Sequence, residues 1–179
     1  QDMTRILTLL STLLLIGCSQ TANRLTQMSD IESFLDNAST ISLTKLDAAG
    51  GNIENLGEPY RTVVTIYAAQ GVIDNGGLFY FFESDWPNNP PYSLFADAYR
   101  RIGRKEAGDA IDYAARTFGI PFPERNKDFR NKFMEKQFGM DDSEGQSCIE
   151  WNDCICGDEV VWTDLAKWLR KNYPNSFDE

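Results

Sequence analysis

The stretch from Ala107 to Phe118 constrains this chain most. Ala107, Ala110, Ile111, Ala114, Ala115 and Phe118 fall at offsets 0, 3, 4, 7, 8 and 11, and Gly119 and Pro121 follow. That spacing lays one apolar stripe along a helix; strand side chains alternate with period two and would scatter it over both faces. Glycine and then proline stop the helix. The same reading applies along the chain. Ser29 with Glu32 forms a capping box ahead of Ile31, Phe34, Leu35 and Ala38, which predicts a helix at about 29–38. Residues 41–46 are ambiguous, and Gly50-Gly51 ends whatever they form. Pro59 sits at a good first helical position, with Val63, Ile66, Tyr67 and Gln70 on one face before Gly71. Leu94, Phe95, Ala98, Tyr99 and Ile102 make another stripe, closed by Gly103. Pro123 opens a helix that carries Phe129 and Phe133 to Gly139, and Val161, Leu165, Trp168 and Leu169 mark one that stops before Pro174. No two alternating runs are joined by a hairpin signal. The prediction is an all-α fold, a compact multi-helix domain with short loops.

Composition narrows function more than fold. The chain has 179 residues, 42% of them hydrophobic, which is ordinary for one globular domain. Its net charge is −10, so it repels phosphate and is not expected to bind nucleic acid directly. It has no histidine, which removes Ser-His-Asp and Cys-His catalysis and His-ligated zinc.

The N-terminal segment reads as an address. Ile6 to Ile16 is almost purely apolar behind Arg5, too short to span a bilayer, which takes about 20 such residues. It fits the core of an export signal. Leu15-Ile16-Gly17-Cys18 resembles the bacterial lipobox, which implies cleavage before Cys18 and acylation of that residue. Two or three acyl chains anchor a protein stably, whereas one is marginal. Ser19, where an inner-membrane retention signal would place aspartate, favours the outer membrane by resemblance to enterobacterial sorting rules. The expected organisation is a signal over 1–17, a polar tether over 18–28 and a single helical domain over 29–179. The expected location is the cell envelope, lipid-anchored at the outer membrane and facing the periplasm.

At the centre of the chain lies Val72-Ile73-Asp74-Asn75-Gly76-Gly77, followed by the aromatic-rich run Leu78 to Phe82 and Glu83-Ser84. Two glycines after Asn75 permit positive φ and a tight helix-to-helix turn, in which the asparagine side chain bonds its own backbone. The aromatics beyond read as core. This pattern resembles a bacterial domain family of largely unknown function, whose best-known member is a small acidic DNA mimic. Further along, Ala98-Tyr99-Arg100-Arg101-Ile102-Gly103 matches the family's helix ending in Ile-Gly, Ala107 to Phe118 its Ala-rich helix, and Leu165 to Asn172 with Phe177 its closing helix. The resemblance covers about 57–178. It implies an all-helical bundle, a homodimer, and a non-enzymatic activity in which surface carboxylates stand in for phosphates. Two departures matter. Export separates this chain from cytoplasmic regulators, and Gly145 to Gly157 looks inserted.

That inserted stretch holds Cys148, Cys154 and Cys156. A 154–156 bridge would close a strained ring, so one disulfide, 148–154 or 148–156, is expected in an oxidising compartment. Three thiolates with Asp153 or Asp158 would make a zinc site, but the C-x5-C-x-C spacing lacks a C-x2-C knuckle, and no metal or other cofactor is expected. The charge is segregated. Residues 30–97 carry ten acids and two bases, 98–136 six acids and ten bases, and 137–166 eight acids and no base. The last eight are Asp141, Asp142, Glu144, Glu150, Asp153, Asp158, Glu159 and Asp164. Oppositely charged helices solvating one another would account for this, and so would an acidic surface that steers a basic protein.

The expected function is therefore a membrane-anchored lipoprotein with a non-enzymatic interaction domain that binds a basic protein partner. The alternatives are an immunity protein that neutralises a toxin in the envelope, and an envelope enzyme using carboxylates or thiols.

Overall fold

A computed structural model describes residues 28–138 and 154–177. Cys18, the tether up to residue 27, Asp141, Asp142, Glu144, Cys148, Glu150 and Asp153 lie outside the described residues. Among the described residues there are only helices and turns, so the all-α prediction holds. Six α-helices follow in order: α1 (28–48), α2 (Tyr60–Glu83), α3 (Tyr92–Arg101), α4 (Lys105–Thr117), α5 (Lys127–Phe138) and α6 (Val160–Asn172). Short 3-10 turns at Ile53–Asn55 and Pro123–Arg125 precede α2 and α5. No helix of the described residues is long and apolar enough to cross a membrane.

The described residues fall into two units, divided between Asp36 and Asn37. In the first, residues 28–36 are helical, so the Ser29 capping box does not start the helix. In the second, α1 continues to 48, ten residues past the predicted end. The hydroxyls of this stretch are satisfied inside the helix. Ser42 Oγ donates to Ala38 O at 2.6 Å and Thr44 Oγ1 to Thr40 O at 3.0 Å. The glycines end it as predicted, with Gly51 N bonding Leu46 O at 2.9 Å and Gly50 N bonding Asp47 O at 3.0 Å.

The predicted stripes are the core of the second unit. Phe95, Ala98 and Tyr99 of α3, Ala107, Ile111 and Ala114 of α4, and Val161, Leu165 and Leu169 of α6 are buried. The turn after α3 uses Gly103 at φ 90°, with Arg104 N donating to Tyr99 O at 2.9 Å and Gly103 N to Arg100 O at 3.0 Å. Gly108 lets α4 lie against α3, because a Cβ there would come within 2.5 Å of Ala96 O. The aromatic run is mostly core. Phe81 packs edge-on against Phe95 at 5.1 Å, and Phe82 against Tyr92 at 4.8 Å and Phe118 at 5.4 Å. Each such pair adds about 0.5–1.5 kcal/mol beyond burial.

The start of α5 differs from the prediction. Pro123 opens only a 3-10 turn, and the helix begins at Lys127 because Asn126 Oδ1 accepts from Phe129 N at 3.1 Å and so caps it.

Candidate functional site at the break in α2

Gly71 does not end the second helix. The helix runs on to Glu83 and breaks instead at Gly76 and Gly77 (φ −165°, ψ 26° and φ 63°, ψ −163°). Gly77 occupies a region that is essentially closed to residues with a Cβ. Gly76 is extended, and its need for glycine comes from space. The Tyr80 ring lies against it, and a Cβ there would meet that ring at 2.2–2.6 Å. Asn75 does not bond its own backbone as predicted. It is still within the helical turn, and its Nδ2 donates to Gly71 O at 2.6 Å, one turn back.

The residues before the break hold the segment 154–157. Gln70 is buried, and its Nε2 donates to Asp74 Oδ1 at 2.6 Å and Ile155 O at 2.9 Å, while its Oε1 accepts from Tyr99 OH at 2.7 Å. Asp74 Oδ1 also accepts from Gly157 N at 2.9 Å. Burial raises the Tyr99 phenol well above its ordinary pKa, and the charges of Asp74 and Asp158 add to this. Ile155 is fully buried at this point. Cys156 Sγ donates to Ile73 O at 3.3 Å, beside the break, and Cys154 Sγ to Glu106 O at 3.9 Å. Burial pushes the Cys154 thiol up. No disulfide is found among the described residues, and the expected partner Cys148 lies outside them. Nor do the described residues contain a cluster of three or more metal-ligating groups.

An open groove of about 360 Å3 straddles the break, lined by Gly71, Val72 and Asn75 before it and by Tyr80, Glu83 and Ser84 after it. Tyr80 is the one member of the run Phe79 to Phe82 that is exposed, at 43%.

The charge map resolves into local pairs. Arg100 joins Asp97 (3.1 Å), Asp109 (2.8 Å) and Asp112 (2.6 Å), and is raised chiefly by its hydrogen bond to Asp109. Arg101 reaches Glu58 at 3.2 Å, which also holds Arg61 at 3.0 Å. Arg104 pairs with Asp158 and, at 3.9 Å, with Asp164. Of the acidic candidates from the third segment, Asp158 therefore serves inside the fold, where Oδ1 also accepts from Val160 N at 3.2 Å, while Glu159 is exposed. Glu54, Glu83, Glu106 and Glu159 are exposed and have no ion pair among the described residues.

Nothing in the sequence marks Arg130 as buried. It is 1% exposed, donates to Pro123 O (3.3 Å) and Glu124 O (3.1 Å), and pairs with Asp85 at 3.0 Å. It falls between Phe129 and Phe133, and a charged residue there reads as the polar face of the helix.

The signature of the family described as DMP19-like protein matches residues 54–172, from the 3-10 turn before α2 to the end of α6. The chain belongs to the DMP19-like protein family. No curated protein and no solved structure matches the chain significantly. The DMP19-like region contains the break in α2, its groove, the Ile102-Gly103 turn and the segment 154–157. The matched family is the one that the resemblance implied, and the matched span lies close to the expected 57–178.

Proposed function

We propose that this DMP19-like domain is a non-enzymatic protein-interaction module, held in the cell envelope by lipid on Cys18, that binds a basic protein partner through exposed carboxylates. The observation that carries this reading is the fate of the charges. Arg100, Arg101, Arg104, Lys127 and Arg130 are paired within the fold. The exposed Glu54, Glu83, Glu106 and Glu159 are not. Exposed Arg116, Lys132 and Lys171 likewise have no ion pair among the described residues, so it is the net charge of −10 that tips the surface toward carboxylates, and such a surface speeds encounter with a cation-rich partner.

Two experiments test this. The Cys18→Ala chain should lose labelling by palmitate and keep its uncleaved segment 1–17; palmitate labelling that persists would remove the anchor. The purified full chain, immobilised and exposed to envelope extract, should retain a basic protein at about 50 mM salt and release it as ionic strength rises and the Debye length shrinks from about 14 Å. Retention of nothing at low salt would sink the interaction role.

A further inference from the structure

The groove beside the break in α2 has the chemistry of a cation receptor. Its aromatic wall is Tyr80, whose ring lies over the Gly76 backbone and yet is exposed. An exposed ring that does not have to be ordered on binding suits a contact residue. Its acidic wall is Glu83, exposed and without an ion pair among the described residues. Glu83 is also the last residue of α2, where the helix dipole adds partial negative charge. Asn75 and Ser84 supply polar edges, and no lysine or arginine lines the groove. One guanidinium, that of Arg130, reaches Ser84 O at 3.5 Å, but its charge is held by Asp85 at 3.0 Å.

Gly71 supports the same reading. It lies mid-helix, where glycine costs about 0.5–1 kcal/mol relative to alanine. A Cβ there would meet nothing within 4 Å, so the fold does not require its absence. The missing side chain keeps the groove open. At about 360 Å3 the groove is at the lower end of small-ligand clefts, about 300–1,000 Å3, which suits one side chain rather than a whole metabolite.

We propose that this groove takes the arginine or lysine side chain of the basic partner, with the cation over the face of Tyr80 and against Glu83. The inference rests on the reading above that the partner is basic, and it identifies where that partner's charge is received. Gly76 is then a residue with two tasks: it permits the break, and it seats the ring that the cation meets.

The test is an amide NMR titration of the full chain, in detergent micelles, with N-acetyl-arginine methylamide as the probe. The neutral citrulline analogue is the control. The arginine probe should shift Gly71, Asn75, Tyr80 and Glu83 saturably, and citrulline should bind about 3- to 5-fold more weakly or worse, as expected for an exposed cation–π contact. Tyr80→Phe should keep the affinity, whereas Tyr80→Leu and Glu83→Gln should each lower it about 3-fold or more. Gly71→Leu should abolish the shifts without loss of fold. Glu106→Gln, which changes an exposed carboxylate elsewhere, should leave them alone. Equal binding of citrulline, unchanged affinity in Tyr80→Leu and Glu83→Gln, or shifts spread over distant carboxylates would overturn the proposal. If a basic partner is retained equally by wild type and Glu83→Gln, the groove is refuted while the broader function stands. If the groove takes the probe but no basic partner is retained, the receptor chemistry stands and the broader function falls.

Discussion

Two glycine sites in this molecule show opposite uses of one residue. At Gly103 the chain turns through positive φ, α3 ends, and its last carbonyls are bonded by Gly103 N and Arg104 N. At Gly76 and Gly77 the chain also leaves helical geometry, yet the helix resumes and runs to Glu83. What differs is the sequence beyond. After Gly103 come Arg104 and Lys105, which gain nothing from continuing into the core. After Gly77 come Leu78, Phe81 and Phe82, all nearly fully buried, and their burial draws the chain back onto the helical course. At these two sites the helix ends where the residues next to the glycine are charged and resumes where the next residue, Leu78, is buried.

Substitutions separate these uses by size. The largest effect is expected at neither glycine of the break but at Gly108. A Cβ there would lie 2.5 Å from Ala96 O, a backbone atom that moves only if α3 and α4 part. Gly108→Ala should cost about 3 kcal/mol, the upper end of overpacking penalties, read as a lower urea midpoint. Gly76→Ala should cost about 2 kcal/mol, because the obstacle is the exposed Tyr80 ring, which can swing away. The ring should then lose its fixed position, seen as a more solvent-like Tyr80 resonance. If the two substitutions cost the same, the Tyr80 ring is held as firmly as backbone, and the contrast between the sites dissolves.

Legibility in the sequence divides along the same line. The α3–α4 pair was readable because each stripe is local, with Leu94, Phe95, Ala98 and Tyr99 and then Ala107 to Phe118 repeating at helical offsets between glycine stops. The course of α2 was not, since Gly71 and Gly76-Gly77 carry the same local signal. The outcome depends on Tyr80 packing over one glycine and on burial four residues further along. The residues around the break show in the sequence as a motif, but Gln70 shows only as part of one face of a helix. Its role as the link between Asp74, Tyr99 and Ile155 spans 85 positions of sequence and leaves no local trace. Arg130 was missed for a related reason: a buried guanidinium looks like any surface arginine until its carbonyl partners are brought to it.

A smaller effect is expected where α3 meets the residues before the break. Tyr99→Phe removes the hydrogen bond to Gln70 Oε1 and should cost about 1 kcal/mol near neutral pH. Its pH dependence is the sharper test. Burial raises the Tyr99 phenol in the folded chain above its ordinary 10.0. Above that pH the unfolded chain loses the proton while the folded chain keeps it, so stability falls as pH rises. Tyr99→Phe should lessen this alkaline loss, leaving the share owed to Tyr92, which burial also raises. Identical alkaline slopes in the two proteins would mean that Tyr99 ionises freely and that the contact with Gln70 is loose.

The smallest effect asks what makes the break. Cys156 Sγ donates to Ile73 O at 3.3 Å, so the break is bonded from outside as well as permitted from within. A thiol is a weak donor and Cys156 is exposed, so Cys156→Ala should cost no more than about 0.5 kcal/mol. The amide shifts of Gly76 and Gly77 should stay in place, because Gly77 alone holds a conformation that other residues avoid. Gly77→Ala should cost more, about 1–3 kcal/mol, through strain in that region. If the order is reversed, with Cys156→Ala the costlier change and the break straightening into continuous helix, then the segment 154–157 builds the break and the glycines only tolerate it. The groove beside Tyr80 would in that case depend on a segment some eighty residues away, and modification of Cys156 would close it.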